Sequence, residues 1–171
     1  TGYGLVSPIG NDADTVSAAL RTGSSGIESV AEYAEKGFRS QVAGVPKIDL
    51  DAQIDRKLKR FMGDAAAYAY IAMRDAIADA GIRWQDVGFV SGGATMRCGY
   101  PGYVAGATFA QALGWQGAEV NTSYAACASG SQALAAARNK ILAGECDVAL
   151  VVGADTTPKG FLAPAGGYRP E

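Results

Sequence analysis

The chain has 171 residues, 49% of them apolar and 19% charged, with a net charge of −2 at pH 7. That length suits one ordinary globular domain with a single sizeable core, and the composition leaves no long disordered tract. A near-neutral charge without a basic cluster argues against a nucleic-acid or anionic-membrane surface, and no apolar run reaches the roughly 18 residues of a membrane span.

Taken in chain order, Thr1-Gly-Tyr-Gly-Leu-Val-Ser7 reads as the tail of a strand entering a Gly-rich loop, with no signal-peptide pattern. Asn11 or Asp12 can cap a helix over Ala13 to Arg21, which Gly23 ends. The stretch from Ser24 to Lys36 has no clear period. Arg39 to Val45 reads as a short strand before Pro46, and Asp55 to Phe61 as a short basic helix.

The clearest helix of the first half runs from Gly63 to Ala80. Tyr70, Met73, Ala76, Ile77 and Ala80 recur at three- and four-residue spacing as one apolar stripe, and Gly81 supplies the stop. Val87 to Val90 is a buried strand candidate that opens into Ser91-Gly-Gly. Gly102 to Leu113 reads as a helix ended by Gly114. Ala118 to Ser123 follows as a strand, Ala128 to Ala143 as a long Ala-rich helix, and Asp147 to Gly153 as a last strand. Residues from Thr156 onward read as loop. Continuous apolar strands alternating with helices predict an α/β fold, a mostly parallel sheet flanked by helices.

Several short motifs carry a possible chemistry beside a plainer role. Gly2-x-Gly4 invites a dinucleotide reading, but Ser7 stands where a third glycine belongs, so a tight turn is the better expectation. The segment from Ile54 to Met62 could meet an acidic carrier protein or a CoA phosphate; a solvated helix face is the commoner outcome. Gly92-Gly93 could line a pocket or turn the chain, and Asp155 could serve a site or cap a turn.

The three cysteines, Cys98, Cys127 and Cys146, have no disulfide spacing, which suits a reducing, cytoplasmic setting. The chain contains no histidine. Cys–His catalysis within it is therefore impossible, a usual zinc site is absent, and no cofactor is expected. A base working at neutral pH must be a shifted carboxylate or lysine, or lie outside this sequence.

Cys127 is the candidate catalytic residue. In Asn121-Thr-Ser-Tyr-Ala-Ala-Cys127-Ala-Ser-Gly130 it stands between a strand and a helix, facing first-turn N–H groups that have no partner inside the helix. Their partial positive charge favours thiolate over thiol, the form an acyl-transfer nucleophile needs. Ala125, Ala126, Ala128, Ser129 and Gly130 leave room for a substrate. The alternative is an inert buried thiol, the role read for Cys98 and Cys146.

With Cys127 at that bend, the chain resembles the thiolase superfamily, which includes the β-ketoacyl synthases. Residues 1 to 82 are similar to the start of a β-ketoacyl-ACP synthase, through Thr1-Gly-Tyr-Gly-Leu-Val-Ser-Pro-Ile-Gly10 and Ile54-Asp-Arg-Lys-Leu-Lys-Arg-Phe-Met62. From about Asp86 the closer likeness is to thiolase-like lipid-transfer proteins. There it rests on Tyr100-Pro-Gly-Tyr-Val-Ala-Gly-Ala-Thr-Phe-Ala-Gln-Ala-Leu-Gly114, Ala125-Ala-Cys-Ala-Ser-Gly130 and Val152-Gly-Ala-Asp-Thr-Thr-Pro-Lys-Gly160.

The resemblance implies a thiolase-like layered fold of two similar halves, of which residues 1–171 look like the N-terminal half only. It implies that Cys127 accepts an acyl group from a thioester, with its N–H as one half of an oxyanion hole. Two assisting histidines and the second donor belong to the other half. A homodimer joined through Ala118 to Ser123 is implied as well, with an acyl carrier protein or CoA thioester as substrate. Three functions follow: a condensing acyltransferase, a lipid-transfer protein acting on acyl-CoA or sterol side-chain CoA, and a non-catalytic half-domain that pairs with a partner chain.

Overall fold

A computed structural model describes residues 1–93 and 105–154, and the chain divides into two units, Thr1–Val87 and Gly88–Glu171. In the first unit, helix α1 (Ala13–Thr22) begins where Asp12 accepts hydrogen bonds from the Thr15 N–H and hydroxyl, each at 2.8 Å. It ends at Gly23, whose φ of 67° is the left-handed conformation expected of a glycine stop. Strands β1 (Ile27–Ser29) and β2 (Val42–Gly44) pair antiparallel, with helix α2 (Ala31–Glu35) between them in sequence. Helices α3 (Leu50–Gln53), α4 (Arg56–Lys59) and α5 (Asp64–Asp79) follow, then a single turn at Trp84–Asp86.

The Thr15 bonds, that to its backbone N–H foremost, hold the Asp12 carboxyl below the usual carboxylate range. A lowered folded pKa means that the cap's contribution is fully present above the unfolded value and is lost as pH falls through the folded one. Asp12→Asn keeps an accepting oxygen without a titrating proton. Protection of the Thr15 amide, its exchange measured relative to the intrinsic rate at each pH, should therefore fall on acidification in the unsubstituted chain, stay pH-flat in Asp12→Asn, and be low throughout in Asp12→Ala.

Expectations for the start of this unit need correction. Residues 1–6 form no strand; they lead to an isolated Ser7–Gly10 bridge, with Ser7 N–H bonded to Gly10 O at 3.1 Å. Gly4 is neither a nucleotide loop nor a turn. A Cβ there would lie 1.9 Å from the carbonyl oxygen of Ala72, so the glycine lets the N-terminal segment lie on the backbone of α5. The contact falls in the body of α5, away from the N-terminal amides a pyrophosphate requires.

The buried residues of α5 are Ala67, Ala69, Ile71 and Met73, and of the expected stripe only Met73 is among them. The helix is covered from more than one side, which defeats a single-face reading. Ile54, Ala67 and Ile71 form a core against which Val6, Ile48, Leu50, Leu58, Met62 and Tyr70 pack. Burying a side chain such as Ile54 or Ile71 contributes about 1.5–3 kcal/mol. Arg74 ties α5 to the end of α3, donating to Gln53 O and Gln53 Oε1, both at 2.9 Å.

The second unit is built on three parallel strands in the order β4-β3-β5: β3 (Phe89–Gly93) in the centre, β4 (Glu119–Ser123) and β5 (Ala149–Gly153) flanking it. Helix α6 (Ala105–Ala112) connects β3 to β4, and α7 (Ser129–Leu142) connects β4 to β5. Gly102 to Val104 of the expected helix, and the loop read from Thr156, lie outside the described residues. The first crossover runs from the central β3 out to β4, and the second runs back across the sheet from β4 past β3 to β5, in the opposite direction. Right-handed connections then put their helices on opposite faces.

Side chains agree with that placement. Phe89, Ser91 and Gly93 share one face of β3 by strand alternation. On that face the Ser91 hydroxyl donates to Asn121 Oδ1 at 2.6 Å, and a Cβ at Gly93 would meet the Ser129 carbonyl oxygen of α7 at 2.9 Å. On the other face the Gly106 N–H of α6 donates to Thr122 Oγ1 at 3.0 Å. The parallel sheet covered on both faces, expected from the continuous apolar strands, is present in this unit. Ala133 and Ala137 of α7 are buried, while Leu134, Ile141 and Leu142 remain exposed. No helix among the described residues is long and apolar enough to cross a membrane.

Candidate active site at the turn before α7

The five residues between β4 and α7, Tyr124 to Ala128, turn the chain from the sheet into the helix. Ala126 takes a left-handed φ of 47°, the one positive value on a non-glycine residue among those described. An L-residue pays about 1–2 kcal/mol for that conformation, so neighbouring bonds must hold it. The Ala128 N–H donates to Ala125 O at 2.9 Å and the Ser129 N–H to Ala126 O at 3.0 Å. The Ser129 hydroxyl closes the turn from inside: it accepts from the Ala125 N–H at 2.9 Å and donates to Ala126 O at 2.7 Å.

Cys127 follows the strained residue directly and is exposed. Its N–H takes part in none of the bonds that hold the turn. Helix α7 starts at Ser129 with Ala128 as its cap residue, one position later than the sequence pattern suggests. The geometry thus places an exposed thiol and its own backbone N–H together at the mouth of a helix, directly after the strained residue. Chemically, that pair can receive an electrophilic carbonyl carbon and its oxygen.

The other sequence candidates fall elsewhere. Gly93 lets the start of α7 approach the end of β3, so this glycine serves packing. Cys98 and Asp155 lie outside the described residues. In the basic segment, Lys59 pairs with Asp51 at 2.7 Å, Arg60 stacks over the Phe61 ring at 4.4 Å, and Arg56 and Lys57 are exposed. The face is a solvated one, with two cations left uncommitted by these contacts.

Cys146 is half-buried, and burial, then the neighbouring Asp147, pushes its thiol above the usual range. A thiol that resists ionisation is a poor nucleophile. Limited iodoacetamide at neutral pH should therefore modify the exposed Cys127 before Cys146, as read by peptide mass mapping; the reverse order would contradict this geometry.

Sequence reasoning missed three features. Ala126 carries no signal for a left-handed backbone. Ser129 was visible only as a small residue. Lys140 of α7 pairs with Glu119 of β4 at 2.8 Å and with Glu145, and lies 5.6 Å from the Phe89 ring centre. The two carboxylates, Glu119 first, hold its ammonium group well above its usual range, so Lys140 is a fixed cation rather than a base. A cleft of about 320 Å³ lies within the first unit, lined by Tyr3, Asn11, Asp12, Asp14, Asp75 and Asp79 among others. Its carboxylates would repel a phosphate-bearing substrate, and its lining holds no cysteine, serine or threonine.

The family model described as Beta-ketoacyl synthase, N-terminal domain, matches residues 1–102 and 86–164, and the chain belongs to this family. The second matched segment includes the stretch whose residues resemble lipid-transfer proteins. Over 82 residues the chain is 56% identical to 3-oxoacyl-[acyl-carrier-protein] synthase 1 of Haemophilus influenzae, covering 48% of this chain and 20% of that one. The corresponding protein of Escherichia coli is 51% identical over 82 residues, with the same coverage. The chain thus matches about a fifth of the length of these curated relatives.

Among solved structures, a β-ketoacyl synthase from Burkholderia phymatum aligns with a TM-score of 0.67 at 25% identity, covering 85% of this chain and 43% of that one. The ishigamide ketosynthase/chain length factor aligns with a TM-score of 0.72 at 24% identity, covering 93% and 47%, and supports the fold alone. The thiolase-like α/β fold and the ketosynthase kinship expected from the residues are thereby established.

Proposed function

We propose that the chain carries the acyl-accepting half of a condensing acyltransferase, with Cys127 as the nucleophile. The observation that supports this most is the exposed Cys127 at the mouth of α7, directly after a residue held in a strained left-handed conformation. The Cys127 sulfur attacks the carbonyl carbon of an acyl thioester. The new S–C bond forms, the old one breaks, and the departing thiol takes the proton that Cys127 gives up. The Cys127 N–H stabilises the oxyanion of the tetrahedral intermediate; one such donor contributes about 2.7–4 kcal/mol.

Passing the acyl group to a carbanion from a malonyl-type donor is the second half-reaction. This histidine-free sequence offers no obvious base for it. In the same reading, residues 1–171 are the N-terminal half of a two-half fold. The exposed Leu134, Ile141 and Leu142 of α7 supply an apolar face for the other half to cover. The relatives' names specify an acyl carrier protein, and the exposed Arg56 and Lys57 suit its acidic character. Among the described residues β4 is an edge strand, which suits a homodimer, in a cytoplasmic setting with no nucleic-acid or membrane partner.

The stretch around Cys127 also favours a second reading, lipid-transfer or thiolase chemistry on acyl-CoA. Intact mass measurement after incubation with one acyl chain, presented on carrier protein or on CoA, separates the two. Faster growth of the acyl adduct from the carrier is expected. Faster growth from CoA favours the second reading, and no adduct from either leaves the non-catalytic half-domain.

A further inference from the structure

We infer that Ser129 is a positioning residue for Cys127: its hydroxyl, bridging Ala125 N–H and Ala126 O, holds Ala126 left-handed and so aims the Cys127 thiol and N–H at one point. This inference rests on the acyl-acceptor reading of Cys127. Ser129 is only 1% exposed, and its hydroxyl spends both donor and acceptor on the two residues that flank the strained position. A serine at a helix start ordinarily caps an amide of its own first turn. This one instead reaches backward, and among the described residues both of its side-chain bonds fall on the turn that carries Cys127.

The bridge is geometrically specific. Relaxation of Ala126 to a right-handed or extended backbone rotates the next peptide plane, which contains the Cys127 N–H. Sulfur and N–H then no longer converge on one carbonyl group. Attack on a thioester needs both groups, whereas displacement of iodide from iodoacetamide needs only the sulfur, so the two reactions respond differently to the loss of the hydroxyl.

The test uses the full chain and three variants: Ser129→Ala, Ser129→Thr, and Ser129→Ala combined with Ala126→Gly. Three quantities are measured: the rate of Cys127 acylation by an acyl thioester, the rate of its alkylation by iodoacetamide, and the thermal midpoint. Ser129→Ala should slow acylation by about tenfold, equivalent to about 1.4 kcal/mol, while alkylation changes by less than about twofold, the sulfur being exposed in either state. Ser129→Thr keeps the hydroxyl and should recover acylation to within about threefold.

Glycine adopts a left-handed φ without penalty, so Ala126→Gly should recover much of the loss in the Ser129→Ala background. If Ser129→Ala fails to fold, the double variant carries the test, because the same coupling predicts that it folds and is acylated. Equal loss of acylation and alkylation, or purely additive effects of the two substitutions, overturns the inference. No acylation of the unsubstituted chain overturns the nucleophile reading and this inference together. Acylation of the unsubstituted chain that is unchanged in Ser129→Ala overturns the role of Ser129 alone.

Discussion

Gly106→Ala should destabilise the second unit by about 3 kcal/mol, the upper end of the usual cost of overpacking a close contact. A Cβ at this position would lie 1.9 Å from the carbonyl oxygen of Asn121, which is backbone of β4 and cannot swing aside. Relief requires α6 to move off the sheet, and that breaks the bond from the Gly106 N–H to Thr122 Oγ1 at 3.0 Å. Helix propensity gives the opposite sign: alanine in a helix is favoured over glycine by roughly 0.5–1 kcal/mol. Urea denaturation therefore decides between contact and propensity by the direction of the shift. A lower midpoint is expected, and a raised one would show that α6 does not lie against β4 as described.

The second large effect is chemical. Cys127→Ala should abolish the acyl adduct while changing stability by no more than about 0.5 kcal/mol, the usual range for an exposed position. The thiol is exposed and makes none of the bonds that hold the turn. No other side chain at the turn offers a comparable nucleophile: Ser129 is buried with its hydroxyl engaged on both sides. Residual adduct at a serine would therefore be slow. Adduct formation at an undiminished rate would move the nucleophile elsewhere.

Features written in local chemistry were legible in the sequence. Asp12 and Gly23 bound α1 because capping is decided within a few residues, and Cys127 falls at a strand-to-helix junction because an apolar strand and an Ala-rich helix flank it. The parallel sheet followed from the continuous apolar run that becomes β5. What escaped depends on contacts distant in sequence. The buried side of α5 is set by Ile54 and by the close approach of Gly4, and neither leaves a period in the helix itself. Both strands of the antiparallel pair are largely exposed, and β1 shows no alternation that could announce it.

Within the site, the nucleophile's place could be read and its support could not. Alanine is a poor indicator of a left-handed backbone, so the φ of 47° at Ala126 has no signature. The Ser129 bridge goes to backbone atoms, which every residue has, so no residue pairing advertises it. Lys140 and Glu119 stand far apart in the chain and meet only once β4 and α7 have packed.

Peptide-level mass spectrometry after a brief exposure to an acyl thioester tests the central claim most directly. Acyl mass on the peptide containing Cys127, and none on the peptide containing Cys146, is the expected result. Acyl mass on Cys98 or Cys146 with Cys127 unmodified would contradict it.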